Sequence, residues 1–346
     1  MFDHPDFDDH EAVIFACDAA AGLRAIIALH STALGPAFGG CRMWPYASEA
    51  EALTDALRLA RGMTYKAAIC DLPYGGGKSV IIGDPRRAKT PALLRAMGSA
   101  VEMLGGRYII ADDIGTTLED LVVMREVTSH TAAATAAAQA PLAVTAYGVM
   151  MAIRAAVRQV TGRERLTGLR VAIQGLGNVG RPLAEYLREA GAELIVADLD
   201  PARVARAAQE LEARAVEPDA IYEQPVDLFA PCALGAVLND RTIPRLRAKI
   251  VCGGANNQLA QARHAVMLAE RGILYVPDYL ANAGGVIDFH QERVDDSRTA
   301  VLAAVGRIEA ITAEILGAAA ISGRTPLAVA DQMVQERLRA GRPRRD

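Results

Sequence analysis

Residues 169–200, LRVAIQGLGNVGRPLAEYLREAGAELIVADLD, constrain the fold of this chain more than any other stretch. An apolar run ends at Gln174. Gly175, Gly177 and Gly180 follow as G-x-G-x-x-G, with Asn178 and Val179 inside the pattern. A helical periodicity comes next, and then a second apolar run closing on Asp198, twenty-three residues after Gly175. Strand, glycine-rich turn, helix and a second strand ending in a carboxylate make a parallel β-α-β unit shaped for a dinucleotide. Gly175 makes the tight turn, Gly177 lets a pyrophosphate approach the helix N-terminus, and Gly180 allows helix and strand to pack closely. Asp198 is placed to accept hydrogen bonds from the adenosine ribose and to repel a 2′-phosphate, which favours NAD over NADP. Arg203 and Arg206 stand nearby, and arginine is the residue that accepts a 2′-phosphate.

The same alternation runs through the second half of the chain. Apolar strands LRVAIQ, ELIVAD, VDLFAP, AKIVCG and ILYV interleave with helical patterns at 145–160, 178–190, 201–212 and 258–271. That order predicts a parallel sheet covered by helices on both faces. The first part mixes strands EAVIFACD, RAIIALHS, KSVIIGD and GRYIIAD with helices EALTDALRLARGMTYKAAI and TPALLRAMGSAVEML. Residues 128–144, rich in Ala and Thr, read as a linker or loop. Residues 297–341 read as two helices parted by GRTP, with Thr325 as N-cap and Pro326 at the first helical position.

With 346 residues the chain has room for about two domains. A net charge of −4 gives no reason to expect nucleic acid or an anionic membrane as partner. The acidic start, MFDHPDFDDHEAVIF, lacks the basic and apolar regions of a signal peptide, and no apolar run reaches membrane-spanning length. Cys17, Cys41, Cys70, Cys232 and Cys252 form no CxxC pair, which argues for a reducing cytoplasm and against a disulfide or zinc framework. The histidines include no HExxH, and no metal is expected.

A second glycine-rich stretch, YGGGKS at 74–79, looks at first like the end of a phosphate-binding loop. That loop requires a glycine five residues before the glycine of GK. Counting back from Gly77 lands on Leu72, so the pattern fails and Lys78 needs another task. Lys66 lies twelve residues upstream at the end of a helical pattern, and Asp112 and Asp113 stand just past a strand end. Two lysines and an aspartate around a glycine-rich turn are equipped to handle an amino acid. One ammonium pairs the substrate carboxylate. The other must shed its proton to act as a base, which a neighbouring cation and burial both favour, and the aspartate exchanges protons with the amine. The plainer alternative is a pair of solvated lysines flanking a surface turn.

The motifs GPAFGGCRMWPY, DALRLARGMTYKAA, GGGKSVIIGDP, ADDIGTT, VTAYGV, QGLGNVG, FAPCALGA, GGANNQL and PDYLANAGGVI follow one another along nearly the whole chain. In this order and spacing the chain resembles the glutamate/leucine/phenylalanine/valine dehydrogenase family, on its leucine branch. The resemblance implies an α/β chain of two domains. Residues 1–135, joined by the C-terminal helix 324–346 packing back, would form a mixed α/β substrate and oligomerisation domain. Residues 145–323 would form a Rossmann-type NAD-binding domain, with a cleft between the two that closes on substrate. The implied reaction is the reversible, NAD-dependent deamination of an L-amino acid to a 2-oxo acid and ammonia. A homo-oligomer between dimer and octamer is implied as well.

Matching the motifs carries roles onto single residues. Lys66 would bind the substrate carboxylate, helped by Gly39 and Gly40, with Met63 beside it. Lys78 would be the general base that activates water, and Asp113 would exchange protons with the amino group. Asn257 would hold that group, Asn256 would lie near the nicotinamide ribose, and Thr145 would contact the nicotinamide amide. Ala233 and Leu234 would line the cofactor groove. Phe38 stands where the glutamate branch has a lysine, and Phe289 where it has a serine. Together with Ala111 and Val286 they imply an apolar substrate side chain, since a γ-carboxylate there would be buried unpaired. Leucine, valine or isoleucine fit this reading. Two phenylalanines could shrink the pocket toward valine or 2-aminobutyrate, or pack an aromatic substrate edge-to-face as the alternative, and a relative that couples a 2-oxo acid by carbon–carbon bond formation is a further alternative. Before VTAYG the family reads close to Gly-Asn-Pro-Ser-Pro, of which this chain keeps only Pro141.

Overall fold

A computed structural model describes residues 2–132 and 143–341. The atypical segment around Pro141, and most of the expected linker at 128–144, lie outside the described residues. The chain divides into two compact units, Met1–Gln139 with Val334–Asp346, and Ala140–Met333.

The first unit carries β1 (Ala12–Asp18), β2 (Leu23–Ser31), β3 (Ala37–Trp44), α1 (Glu49–Ile69), β4 (Gly75–Ile82), α2 (Pro91–Glu102), β5 (Tyr108–Asp112) and α3 (Leu118–Arg125). Its sheet runs β1-β2-β4-β3-β5. β2 pairs antiparallel with β1 and β4, whereas β3 is parallel to both β4 and β5. Side chains alternate across the sheet as the pleat requires. Ile26, Ala28 and Val80 meet Ala52, Ala56, Leu57 and Ala60 of α1 on one face. Ile27, Leu29 and Ile81 meet Leu93, Met97 and Val101 of α2 and Met124 of α3 on the other. α1 is a helix for local reasons too, because the Ser48 hydroxyl caps the Glu51 N–H and Glu49 and Glu51 occupy the positive first turn.

Two sequence expectations are corrected here. β3, AFGGCRMW, was not anticipated as a strand, because it is buried on both faces and carries two glycines instead of an alternating pattern. The three glycines of YGGGKS do not form a turn; Gly75, Gly76 and Gly77 are the buried first residues of β4. A Cβ at Gly75 would collide with the Ser31 carbonyl, one at Gly76 with the Thr64 backbone, and one at Gly77 would lie 2.9 Å from the Tyr108 ring. The glycines let a helix, a neighbouring strand and an aromatic ring close in around β4.

The second unit carries α4 (Val144–Thr161), β6 (Arg170–Gln174), α5 (Gly180–Glu189), β7 (Glu193–Ala197), α6 (Pro201–Leu211), β8 (Arg214–Ala215), β9 (Leu228–Pro231), β10 (Ile250–Val251), α7 (Arg263–Glu270), β11 (Leu274–Tyr275), α8 (Asp278–Ala281), α9 (Gly284–Gln291) and α10 (Arg298–Ser322). Its parallel sheet runs β11-β10-β9-β6-β7-β8. Strand order reverses between β6 and β9, and ligands bind at such a switch point. α7 starts at Arg263 and not near 258 as expected. Asn257 has φ +50 and the Gln258 amide donates to Gly253 and Ala255 carbonyls, so the chain is still turning there. α8 and α9 were not anticipated. α11 (Pro326–Gly341) starts in this unit and ends in the first. Thr325 caps it by accepting the Ala328 N–H, as the sequence indicates.

Candidate active site

In the first unit Lys78 is the fourth residue of β4 and is 5% exposed; Lys66, in the last turn of α1, is 9% exposed. The alternative of solvated surface lysines is thereby excluded. Lys78 Nζ lies 2.6 Å from Asp113 Oδ2, just past the end of β5. The neighbouring β3 has glycine where these groups converge. A Cβ on Gly40 would come within 3.0 Å of Lys78 Nζ and 2.8 Å of Asp113 Cβ, and one on Gly39 would strike the Gly77 carbonyl and crowd Met63 Cγ. Gly39, Gly40, Met63, Lys78 and Asp113 are therefore brought together. Ala111 pairs with Gly40 in the sheet, and Phe38, buried, stacks tilted on Tyr74 at 5.8 Å between ring centres.

Asp113 is fixed by its surroundings. Its N–H donates to the Thr116 hydroxyl (3.0 Å), which donates in turn to the Cys41 carbonyl (2.6 Å). Burial by itself would raise its carboxyl, but the Lys78 ammonium and the Arg42 guanidinium hold it well below the usual carboxylate range. Arg42 Nε donates to Asp113 Oδ2 at 2.9 Å. Arg42 was not singled out from the sequence, although it stands in the quoted CRMWPY motif; its contact joins positions 71 residues apart. Lys66 sits on a well-anchored turn, since Arg337 Nη1 donates to the Ala68 and Ile69 carbonyls at 2.6 Å each. An arginine on the last carbonyls of a helix offsets its negative end.

In the second unit the glycine-rich loop runs from the end of β6 to α5. Gly175 has φ +93, a backbone state that strains any other residue, and a Cβ there would press on Ala233 at 2.8 Å. A Cβ on Gly180 would strike the Gly175 carbonyl, whereas one on Gly177 would meet only Arg203 Nη1 at 3.7 Å. Gly177 thus faces open space beside the N-terminus of α5, which no side chain caps. Asn178 is exposed, and Val179 packs against Gly254. Asp198 accepts the Leu176 N–H (2.6 Å) and the Asp200 N–H (2.8 Å), so it braces this loop, with Arg203 3.9 Å away. Ala233 and exposed Leu234 follow β9 across the switch point. Asn256 and Asn257 close the same side. Asn257 O accepts the Ala236 N–H (2.7 Å), and Asn256 Oδ1 accepts from Asn282 at 2.9 Å. Thr145, in the first turn of α4, packs against Gly285 of α9, which also carries buried Val286 and Phe289. The guanidinium of Arg293 covers the Phe289 ring at 3.6 Å.

An uncapped helix N-terminus, an open glycine and a loop braced by a carboxylate fit a dinucleotide: Gly177–Gly180 would hold the pyrophosphate and Asp198 the ribose. Among the described residues no group of three or more His, Cys, Asp or Glu could hold a metal ion. Nor is any helix of the described residues long and apolar enough to cross a membrane.

This architecture is a Rossmann-type sheet paired with a mixed α/β unit that buries lysine against aspartate. Residues 10–130 match the family model of the Glu/Leu/Phe/Val dehydrogenase dimerisation domain, and residues 139–202 and 199–315 match that of the glutamate/leucine/phenylalanine/valine dehydrogenases. The chain is 47% identical to the leucine dehydrogenase of Thermoactinomyces intermedius, covering 98% of this chain and 93% of the relative. It is 45% identical to the valine dehydrogenase of Streptomyces coelicolor, covering 99% and 95%. It is 44% identical to the phenylalanine dehydrogenase of Bacillus thermotolerans, covering 96% and 89%. The crystal structure of L-tryptophan dehydrogenase from Nostoc punctiforme superposes with a TM-score of 0.80 at 41% identity, over 96% of each chain. The chain belongs to the glutamate/leucine/phenylalanine/valine dehydrogenase family and is an amino acid dehydrogenase, acting on a CH–NH2 group.

Proposed function

We propose that this enzyme deaminates an apolar L-amino acid of the leucine, valine or isoleucine type to the 2-oxo acid and ammonia, reversibly, with NAD as hydride acceptor. The observation that carries the reading is buried Lys78 paired with partly buried Asp113, 2.6 Å apart beside Gly40. Lys66 binds the substrate carboxylate, assisted by the backbone of Gly39 and Gly40. Asp113 takes a proton from the substrate ammonium, and Asn257 orients the amine. Gly177–Gly180 and Asp198 would hold NAD, which would supply the acceptor for the hydride of the substrate Cα. Lys78 then takes a proton from the water that adds to the imino carbon, and Asp113 returns one to the departing ammonia. Lys78 and Asp113 share one hydrogen bond, so a proton leaving either is felt at once by the other.

Substrate choice follows from the side chains at four positions. Phe38 and Ala111 in the first unit, and Val286 and Phe289 in the second, are apolar, so an acidic substrate side chain held against either set would lose its hydration without compensation. An aromatic side chain is the second reading, favoured by the rings of Phe38 and Phe289 and by the likeness to phenylalanine and tryptophan dehydrogenases. We expect NADH formation from L-leucine, L-valine or L-isoleucine to exceed that from L-glutamate by more than a hundredfold in kcat/KM, a burial cost of about 3 kcal/mol. A panel that also includes L-phenylalanine and L-tryptophan ranks the two readings. No NADH with any amino acid would overturn both and point to carbon–carbon coupling of a 2-oxo acid. A reducing cytoplasm and a homo-oligomer of two to eight subunits complete the proposal, in keeping with five free thiols and the dimerisation-domain match.

A further inference from the structure

Asp113 is held by two cations on one oxygen. Its Oδ2 accepts from Lys78 Nζ at 2.6 Å and from Arg42 Nε at 2.9 Å. Arg42 is itself braced from behind. Its Nη1 donates to Asp55 Oδ2 at 2.8 Å, and the same oxygen accepts the Tyr46 hydroxyl at 2.6 Å. The row Tyr46–Asp55–Arg42–Asp113–Lys78 draws on α1, β3, β4 and the segments following β3 and β5. The Arg42 side chain is only 15% exposed. Neither Arg42, Asp55 nor Tyr46 has a part in the reaction as described.

We propose that Arg42 is a positioning residue for deamination: a fixed cation, anchored by Asp55, that aims the Asp113 carboxylate at Lys78 and lets the pair release its proton at lower pH than it could alone. This rests on the role assigned above to Lys78 and Asp113. The argument is one of charge. A guanidinium keeps its proton throughout turnover, whereas Lys78 must exchange its own. When Lys78 is neutral, Arg42 is the cation left in contact with Asp113 Oδ2. The fork geometry matters as well, because Nε and Nη1 reach two different carboxylates at once, which a lysine cannot reproduce.

The charges facing Asp113 come from every side. Lys78 projects from β4, Arg42 from β3, and Asp55 lies behind Arg42 on α1. Asp112 adjoins it in the chain, and Asp120 of α3 acts on nearby Cys41. Burial raises the Cys41, Tyr46 and Tyr108 groups, so all three stay neutral through the working range. Arg42 therefore supplies the fixed positive charge, and Asp55 the anion that opposes it.

The test is the pH profile of kcat/KM for wild type, Arg42→Gln, Arg42→Lys and Asp55→Asn. Losing the fixed cation strengthens proton binding at the pair, so Arg42→Gln moves the acid limb up by about one pH unit and lowers kcat/KM about tenfold below it. Arg42→Lys keeps the charge and leaves the limb near its wild-type position, at reduced kcat. Asp55→Asn removes an anion and moves the limb the other way. A purely structural role would lower the rate at every pH without displacing the limb. An unmoved limb in Arg42→Gln, or Arg42→Lys displaced as far as Arg42→Gln, overturns the proposal. Carbon-13 NMR of labelled aspartate in the ligand-free protein reads the same effect without turnover. Asp113 in Arg42→Gln should begin to protonate at higher pH than in wild type, and no displacement there overturns the proposal. Displacement without NADH formation from any amino acid would uphold the action of Arg42 on Asp113 and overturn the functional reading instead.

Discussion

Lys78 shows how one residue type acquires a task from its neighbours. Asp113 fixes it on one side, and the absence of a side chain on Gly40 leaves room for both groups. Removing the amine should stop the chemistry while sparing the fold, because Asp113 keeps Arg42 as counter-ion. We expect Lys78→Ala to lower kcat by a hundredfold or more, with an unchanged circular dichroism spectrum; a loss of less than about threefold would refute the general-base role. Asp198 has a structural part that its sequence position does not reveal. It accepts the backbone N–H groups of Leu176 and Asp200, so it shapes the glycine-rich loop.

At the scale of elements, β4 and α9 are the informative ones. β4 begins with three glycines because Ser31, Thr64 and Tyr108 crowd the space their side chains would fill. Sequence spacing suggested a turn, since tight packing and chain reversal select glycine alike. α9 carries Val286 and Phe289 and, between them, Asp288. Burial, with a smaller contribution from Glu292, pushes the Asp288 carboxyl up to about 6. A folded-state value above the unfolded one means that the stability Asp288 contributes is present below pH 4 and lost as pH rises through 6. Asp288→Asn should therefore be near neutral at pH 3 and stabilising by about 1–2 kcal/mol at pH 8, after discounting for partial exposure. Thermal melting across that range checks it, and a gain that is equal at both ends would exclude the assignment.

At the scale of the whole molecule, the motifs were legible along almost the entire chain, and the matches to both family domains agree with them. What escaped was long-range. The pairs Arg42–Asp113 and Arg42–Asp55 join β3 to a loop and to a helix, and no periodicity announces them. The start of α7 was misplaced because Gln258 turns its side chain inward to hold its own loop. Assembly belongs to this scale, since residues 10–130 match a dimerisation-domain model. Light scattering should return a mass of at least two 36.7 kDa chains; the mass of a single chain would refute the homo-oligomer.

The sequence by itself determined the class of most elements, β3, α8 and α9 excepted, and the identity of the chemical groups. Strand and helix periodicities, the spacing of Gly175, Gly177 and Gly180, and the order of the motifs are local properties, encoded within a few residues of one another. Only the tertiary structure decided which of those groups touch. It showed Lys66 and Lys78 to be buried, paired Lys78 with Asp113, and set Arg42 against two carboxylates. Coulombic and hydrogen-bond energies depend on distances of a few ångströms, and such distances between residues far apart in the chain exist only once the sheet and its helices have closed around them.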